Sequence, residues 1–568
     1  MLANSASPTA TWAEPGPLTR QPRGALRPAT AIILAALWIA SIANLALWRA
    51  LAGLPELANG RGLAFGIGFG VMIAAAHVAL LSLLAWRWTL KPALALFLLA
   101  AAGGAYFMLS YGVVIDRTMM VNVLLTDTRE ARELLSWRLL GALLLLGVLP
   151  LALLWRTPLR WATPLRQTGQ NAILLIASCA VLAGAGGLFF QDFSATMRNH
   201  TQLRYLVNPL NSFYALAIMG RKPIQRSGVA VAPLGEDAHL PALAAGARPP
   251  LLIMVLGETA RADHIGLNGY ARDTTPRLAS EPGVASLRNV WSCGTNTAAS
   301  VPCMFSNLGR EAFENRQTNT EGLVDVLQRA GLAVLWLDNQ PGGCKGVCDR
   351  VPKVDYKQLQ ANGADLCADD ECFDEVMLRG LDERIAQLPA ERRARGVVVF
   401  MHQMGSHGPA YYRRTPTGFK QFMAECTTNA LQQCPREQVV NAFDNTILYN
   451  DHFLASAIDW LKQRDNQWAP AMVYLSDHGE SLGENNLYLH GLPYRFAPDV
   501  QKHVPWIFWL SPTFERQSGI TLACLARQQG EKLSHDHYFH STLGLLGVQT
   551  QVHDPARDVF TSCRAGAA

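Results

Sequence analysis

Leu251-Leu-Ile-Met-Val-Leu-Gly-Glu258 and Tyr474-Leu-Ser-Asp477-His478-Gly-Glu-Ser481 decide the fold of the second half of this chain. Each begins with an apolar run, passes a small residue, and then delivers acids or an imidazole. A short apolar run without polar alternation reads as a strand covered on both faces. Leu251–Leu256, Leu332–Leu337, Val397–Phe400, Met472–Leu475 and Val504–Leu510 are predicted on this basis as buried parallel strands. Thr320–Ala330, Val376–Leu388 and Asp444–Gln463 are predicted as helices between them. Strands alternating with helices imply a doubly wound α/β sheet, which binds ligands at the carboxyl ends of its strands. Glu258, Asn339, His407 and the pair Asp477-His478 all follow predicted strands, so they are expected on one edge of the sheet.

A third stretch adds a hydroxyl: Ser292-Cys-Gly-Thr-Asn-Thr297-Ala-Ala-Ser-Val-Pro-Cys303. Two carboxylates, an imidazole and a hydroxyl are what a zinc ion beside a nucleophilic hydroxyl requires. Singly, each group has an ordinary explanation. Glu258 can favour the start of a helix, Thr297 can cap one, and an Asp-His pair is common anywhere. Their conjunction at strand ends, with Thr297 held in the loop between Cys293 and Cys303, is what points to a site, since a catalytic group needs a rigid mount. Thr295 and Ser300 stand in the same loop as rival nucleophiles.

The first half is of another kind. The chain has 568 residues, half of them hydrophobic. Pro28–Trp48, Gly62–Trp86, Pro92–Ile115, Leu139–Trp155 and Gln167–Gln191 carry no Asp, Glu, Lys or Arg. A helix needs about 20 such residues to cross a bilayer core, and runs this long without a polar stripe are not surface helices. The short fourth run is Leu-rich throughout and is counted as spanning. Arg20, Arg23 and Arg27 precede the first run, Arg87 and Lys91 follow the second, and Arg156, Arg160 and Arg166 follow the fourth. The Asp116–Arg138 loop is mixed in sign, with Asp116, Asp127, Glu130 and Glu133 beside four arginines. This excess of basic residues predicts a cytoplasmic N-terminus and export of everything after Asp192. With no cleavage site evident, an uncleaved anchor is expected.

The expected organisation is a five-span membrane domain over 1–192, a juxtamembrane segment over 193–249 and an exported catalytic domain over 250–568. Within the middle segment, Asn199–Arg226 interleaves leucines with basic residues, as in a helix lying in the membrane interface or one packed on the catalytic domain. Val229–Pro250 is Ala-, Pro- and Gly-rich and reads as a linker.

Cysteine usage agrees with export. Of 11 cysteines, Cys179 lies in a predicted span and the other ten lie beyond residue 292. The close pairs Cys293/Cys303, Cys344/Cys348, Cys367/Cys372 and Cys426/Cys434 read as local disulfides in an oxidising compartment. A zinc ribbon on Cys344 and Cys348 is the rival, weakened by the absence of a second pair with matching ligand spacing. Cys524 and Cys563 are left over.

Longer motifs go further. Gly257-Glu-Thr-Ala-Arg-Ala-Asp-His264, Leu267-Asn-Gly-Tyr-Ala-Arg-Asp-Thr-Thr-Pro276, Ser292 through Ser306, Gly405-Ser-His407-Gly-Pro409 and Ser476-Asp-His-Gly-Glu-Ser-Leu-Gly-Glu-Asn485 closely resemble the lipid A phosphoethanolamine transferases, the group that includes the mobile colistin-resistance enzymes. The resemblance runs from the five spans through Leu510. It implies an alkaline-phosphatase/sulfatase-like periplasmic domain behind an inner-membrane domain. It implies zinc on Glu258, Thr297, Asp477 and His478, with Thr297 as the nucleophile that takes phosphoethanolamine from phosphatidylethanolamine and passes it to a lipid A phosphate. It also implies His407 and His490 as substrate contacts or ligands of a second metal, and Asn339 and Lys345 as further substrate contacts. Lys345 reads alternatively as a solvated lysine in a Gly-rich loop. Asn122, Thr126 and Glu130, spaced to share one helix face, become donor headgroup contacts on the same basis; without the match they are a solvated face. Lower negative surface charge would weaken binding of polymyxins.

Three rival functions remain at this point. The same chemistry could serve a core sugar or a periplasmic glucan, a metal-dependent phosphatase, sulfatase or phospholipase could use water as acceptor, and a sensor could keep the fold without catalysis. No nucleic-acid partner is expected.

Overall fold

The computed structural model describes residues 24–126, 128–220, 224, 226–356, 365–368 and 371–564, with the backbone alone at Arg129, Glu130 and Ala368. Arg20, Arg23 and Asp127 of the loop-charge pattern lie outside these residues, as do Arg221 and Lys222 of the Asn199–Arg226 segment and the Glu130 side chain. Among the described residues, five helices are long and apolar enough to cross a membrane: Pro28–Ala52, Gly60–Leu83, Leu90–Tyr111, Trp137–Arg156 and Pro164–Leu188. Their starts follow local chemistry. Proline opens the first and the last, where a missing N–H costs nothing. The Asn59 side chain caps the second by accepting from Gly62 N–H at 2.9 Å, as N-cap residues do.

The chain forms two compact units, Met1–Ala102 with Ala142–Asn199, and Gly103–Gly141 with His200–Ala568. In the first, Phe65, Phe69, Phe189 and Phe193 form a ring cluster. Gly147 meets Leu99 and Ala102 so closely that a Cβ there would come within 3.1 Å of the Leu99 side chain. Small residues of this kind let membrane helices approach.

The second unit is built on an eight-stranded sheet. Its strands are β1 (Pro250–Gly257), β2 (Val284–Trp291), β3 (Ala333–Asp338), β4 (Lys353–Asp355), β5 (Val397–His402), β6 (Ala469–Ser476), β7 (His503–Leu510) and β8 (Leu533–Ser534), in the spatial order β8-β2-β7-β6-β1-β5-β3-β4. β1, the central strand of the catalytic edge, runs parallel to both β5 and β6. Burial of its run from Leu251 to Leu256 is near complete, each such side chain contributing about 1.5–3 kcal/mol. An aromatic core of Trp336, Phe400, Phe305 and Tyr538 fills one side, with ring centroids 5.4–5.5 Å apart.

Several expectations need correction. β7 is antiparallel to both β6 and β2. A parallel return requires a crossover element, and residues 477–502 contain no α-helix to serve as one. β2, with its alternating burial, was not anticipated. The predicted helix over Val376–Leu388 breaks at Gly380, whose φ is +62°, and the one expected from Asp444 begins at Arg436. Asn199–Arg226 is not one helix: a 3-10 turn, Thr201–Leu206, precedes a helix over Leu210–Met219, because proline at 209 restricts Asn208. In that helix Ser212 and Ala215 are buried while Tyr214 and Leu216 are exposed. Val229–Pro250 is no loose spacer. Ala232 bridges to Thr320 and His239 to Gln549, and Ala238 enters the core.

All five disulfides lie in this unit. Four are the close pairs expected, Cys293–Cys303, Cys344–Cys348, Cys367–Cys372 and Cys426–Cys434. The fifth joins the two left over, Cys524 and Cys563, while Cys179 is a free thiol. Cys344 and Cys348 are therefore bonded to each other, which removes the zinc-ribbon reading. The Cys426–Cys434 pair is uneven in its surroundings. Cys426 is buried, whereas Cys434 is only half-buried, between exposed Gln433 and Pro435. Cys434 closes the 3-10 turn Leu431–Gln433, its N–H donating to the Leu431 carbonyl at 3.0 Å, and Pro435 then caps the helix Arg436–Lys462. Cys434 is thus a staple for the start of that helix, and it brings no group to the site described next.

Candidate active site

Register brings the first two acids together. Gly257 pairs with Ser476 across β1 and β6, and Asp477 N–H donates to the Gly257 carbonyl at 2.9 Å. Glu258 and Asp477 therefore leave adjacent strands side by side, at the carboxyl edge where doubly wound sheets place their ligands. Thr259 takes a left-handed φ of 53°, and its N–H donates to Asp477 Oδ1 at 3.2 Å. Gly405 backs Glu258: a Cβ there would fall 2.9 Å from the Glu258 carbonyl oxygen, and its φ is +51°. Only a glycine permits that approach in that conformation.

Thr297 opens the helix Thr297–Met304, capped by Asn296 through Ala299 N–H at 3.0 Å. The disulfide Cys293–Cys303 ties the loop before this helix to its last turn. Thr297 Oγ1 donates toward Glu258 Oε2 at 3.1 Å and lies 3.4 Å from His478 Nε2. His478 Nε2 is 3.4 Å from Glu258 Oε1 and 3.3 Å from Asp477 Oδ2. Four groups thus converge in a buried pit. The rival hydroxyls are engaged elsewhere. Thr295 donates to the Leu492 carbonyl at 2.6 Å, and Ser300 donates to the Asp477 carbonyl while accepting from Gly294 N–H.

Two observations bear on whether a cation fits this pit. His478 Nδ1 faces the Gly479 carbonyl at 2.9 Å, so it donates there and Nε2 is the nitrogen turned to the centre, able to ligate a cation once it gives up its proton. This is the arrangement of a metal-ligating histidine. Asp477 Oδ2, fully buried, has no hydrogen-bond partner, and ligand atoms of Glu258, Asp477 and His478 lie within 4.8 Å of one another. Oxygen and imidazole donors in this number suit zinc.

The electrostatics agree. Burial and then the Glu258 charge push the Asp477 carboxyl up to about 6. Burial works against ionisation of Glu258 too, but the hydrogen bond and charge of His478, with His407 and His490, hold it below the usual carboxylate range. His478 is raised to about 9: burial opposes its imidazolium, and the Asp477 and Glu258 carboxylates outweigh burial. Burial drives His407 down to about 3, only partly opposed by Glu258. A bound cation would supply the positive charge that two facing carboxylates demand.

His490 stacks obliquely on His478, ring centroids 4.3 Å apart, and the His407 ring lies 6.5 Å from that of His490. His490 Nδ1 is 3.4 Å from Glu480, a buried acid that the sequence reading passed over. Asn339 is turned to other work, its amide donating to the Cys372 carbonyl and to Asp374 Oδ1 at 2.8 Å. The next residue, Gln340, donates instead to Glu258 Oε2 at 3.3 Å, so the strand-end signal after β3 pointed one residue short. Asp374, also missed, accepts from Met404 and Gly405 N–H and shapes the turn that leads to His407. Lys345 is buried, 6% exposed, at a φ of 51° beside Gly342, which excludes the solvated-lysine reading. Asn122 and Thr126 do not share an unbroken helix with Glu130. Arg117–Leu125 ends at Thr126, whose hydroxyl donates to the Asn122 carbonyl at 2.8 Å, and a new helix starts at Thr128. His402, left out of the predicted site, is fully buried with Nδ1 3.4 Å from Asp338.

A mainly parallel sheet with a hydroxyl, two carboxylates and an imidazole at its carboxyl edge, joined to five apolar helices, defines a membrane-bound member of the sulfatase-like fold. The sulfatase family model matches residues 250–548, and the model for the phosphoethanolamine transferases EptA/EptB matches residues 73–223. The phosphoethanolamine transferase EptA of Escherichia coli (strain K12) is 38% identical over 543 residues, covering 94% of this chain and 96% of that protein. The phosphatidylethanolamine transferase Mcr-1 of Escherichia coli is 36% identical over 509 residues, covering 88% and 92%. A solved structure of the integral membrane protein lipooligosaccharide phosphoethanolamine transferase A (EptA) from Neisseria meningitidis is 32% identical with a TM-score of 0.87, covering 95% of this chain and 99% of that one. The chain belongs to the phosphoethanolamine transferase EptA family. It is a membrane enzyme of that class.

Proposed function

We propose that this enzyme moves phosphoethanolamine from phosphatidylethanolamine to a phosphate of lipid A by double displacement on Thr297. The observation that carries the nucleophile is the placement of Thr297 Oγ1 at 3.1 Å from Glu258 and 3.4 Å from His478, while Thr295 and Ser300 are held in other hydrogen bonds. A zinc ion held by Glu258, Thr297, Asp477 and His478 would lower the pKa of the Thr297 hydroxyl and neutralise charge on the phosphoryl oxygens. The helix start beneath Thr297 favours negative charge at the same point.

In the first displacement Thr297 Oγ1 forms a bond to phosphorus and the bond to the glycerol oxygen breaks, releasing diacylglycerol, which takes up a proton. In the second, a lipid A phosphate oxygen attacks the same phosphorus and the Thr297 oxygen leaves. His407 and His490, flanking the pit, contact the transferred group or a second ion, and Lys345, Asn122, Thr126 and Glu130 contact the donor. The N-terminus is cytoplasmic, residues 1–192 form the membrane domain, 193–249 the juxtamembrane segment and 250–568 the periplasmic catalytic domain. A lipid A-bearing acceptor is supported by the name of a relative, the Kdo(2)-lipid A phosphoethanolamine 7''-transferase of Escherichia coli (strain K12), 26% identical over 526 residues, whose 7'' locant names a sugar position. Capping a phosphate with an ammonium group lowers surface charge and so weakens polymyxin binding.

Mass spectrometry of lipid A and core oligosaccharide from cells with and without the protein tests the acceptor. Added phosphoethanolamine on lipid A is expected with the wild type and not with Thr297→Ala. Modification confined to core sugar, or persisting in Thr297→Ala, would overturn the reading.

A further inference from the structure

The loop and helix that present Thr297 also line a second cavity, of about 470 Å³, through Gly294, Thr295, Ala298, Ala299 and Pro302. None of Glu258, Thr297, Asp477 and His478 lines it. Its other walls come from the segment after His490, from the helix Arg117–Leu125, and from the turn at Arg204 and Tyr205. The segment after His490 is stitched to the nucleophile loop by the Thr295 hydroxyl on the Leu492 carbonyl. The cavity and the catalytic pit therefore share two walls.

The cavity is cationic. Arg117, Arg204, Arg310, Arg316 and Arg495 line it, against Asp116 and Glu314. Asp116 is occupied in capping Arg117–Leu125, accepting from Met119 N–H and the Thr118 hydroxyl at 2.8 Å. Glu314 pairs with Arg310 at 3.1 Å. The guanidiniums of Arg310 and Arg204 lie over Tyr494 and Tyr205, 4.1 and 4.7 Å from the ring centroids, which holds their planar donors in place. Burial, and after it the charge of Arg117, push Arg316 down to about 10. Val121, Ile218, Phe313 and Phe496 add apolar wall. Guanidiniums fork onto phosphate oxygens, so the chemistry that fits is a phosphate on an amphiphile.

We propose that this cavity anchors a second phosphate of the acceptor glycolipid, one that does not receive phosphoethanolamine, and so selects bisphosphorylated acceptors. The proposal rests on the lipid A reading above. Ala298, which lines the cavity, directly follows Thr297 in the chain, and Thr295 lines it from the other side, so a ligand held here lies within reach of Thr297 with its other phosphate.

The test uses the full-length Thr297→Ala protein in detergent, which binds without turnover. It is titrated with bisphosphorylated and with monophosphoryl lipid A, in the presence and absence of Arg204→Gln and Arg495→Gln together, both exposed positions. The double substitution is expected to weaken the bisphosphorylated ligand about tenfold and the monophosphoryl ligand by less than about twofold. Equal weakening of both, or of neither, overturns the proposal. So does complete displacement of bisphosphorylated lipid A by an equimolar amount of phosphatidylglycerol, which would mark a general site for anionic membrane headgroups. Transfer by the wild-type protein to the same lipid A, followed in parallel, shows separately whether the acceptor assignment itself fails.

Discussion

The guanidinium of Arg414 lies 2.6 Å from a carboxylate oxygen of Glu133, and both side chains are almost fully buried. Glu133 belongs to the loop between the third and fourth spans, Arg414 to the domain that carries Thr297. Arg414 also reaches Glu371 at 2.9 Å, and Asn429 donates to the Glu133 carbonyl at 2.7 Å. Removing the cation strands the buried Glu133 and takes from half-buried Glu371 the nearer of its two arginines, leaving Arg413 at 3.5 Å, so Arg414→Met is expected to cost about 3–5 kcal/mol. Glu133→Gln leaves Glu371 in place and is expected to cost about 1–2 kcal/mol. Thermal unfolding of the detergent-solubilised protein orders the two, and equal effects would show that the pairing is not what holds the loop.

Thr297→Ala is expected to reduce transfer by at least about a thousandfold with unfolding temperature unchanged, and Thr297→Ser to retain measurable turnover. Ser300→Ala should do the reverse: a stability loss of about 1–2 kcal/mol from unsatisfied backbone groups, with turnover persisting. Release of fluorescent diacylglycerol from labelled phosphatidylethanolamine, read beside thermal unfolding, separates the two. A dead but stable Ser300→Ala protein would reopen the choice of nucleophile.

Chelation followed by zinc resupply should shift stability as well as activity, because an ion held as proposed would bind only where Glu258, Asp477 and His478 are folded together. At a thousandfold excess over the dissociation constant the gain is about 4 kcal/mol. Asp477→Asn should lose most of that gain. An identical zinc-dependent shift in wild type and Asp477→Asn would place the ion elsewhere.

The staple at Cys293 and Cys303 closes a loop with a sequence separation of 10, for which chain entropy predicts about 3 kcal/mol of stabilisation. Replacing both by serine is expected to lower the unfolding temperature and, by loosening the mount of Thr297, to depress turnover further than the stability loss explains. Turnover measured well below the melting transition checks this.

Asp451, on the long helix Arg436–Lys462, accepts from Arg277 and Leu278 N–H at 2.9 Å. Burial raises its carboxyl to about 6 from 3.8 in spite of those bonds and Arg277, and Asp273 raises it further. The folded protein then holds a proton that the unfolded chain has released. This contribution to stability is fully present below about pH 4 and is lost as pH rises through about 6. Asp451→Asn is expected to gain on wild type by up to about 3 kcal/mol between pH 4 and 7. Parallel stability–pH curves for the two proteins would contradict the assignment.

Much of this was legible in the linear chain because the signals are local. A charge-free run of sufficient length is a membrane helix whatever surrounds it, and β1, β3, β5 and β6 announce themselves as unbroken apolar runs. Glu258, Asp477 and His478 follow from that, since a residue just past a buried strand must stand at the edge of the sheet. The direction of β7 was not legible, because it depends on a connection without a helix rather than on the strand's own residues. Nor was the pairing of Cys524 with Cys563 across a separation of 39 residues.

Sequence by itself determined that this chain crosses a membrane and carries a hydroxyl, two carboxylates and an imidazole beside strands and turns. Tertiary structure decided which hydroxyl is available, by engaging Thr295 and Ser300 in hydrogen bonds and leaving Thr297 against Glu258. It likewise set Gln340 rather than Asn339 on Glu258, buried Glu133 against Arg414, and gathered five arginines from separate segments around one cavity. The physical reason is range: hydrophobic periodicity is written over a few residues, whereas the partner of a polar group is chosen among groups hundreds of residues away.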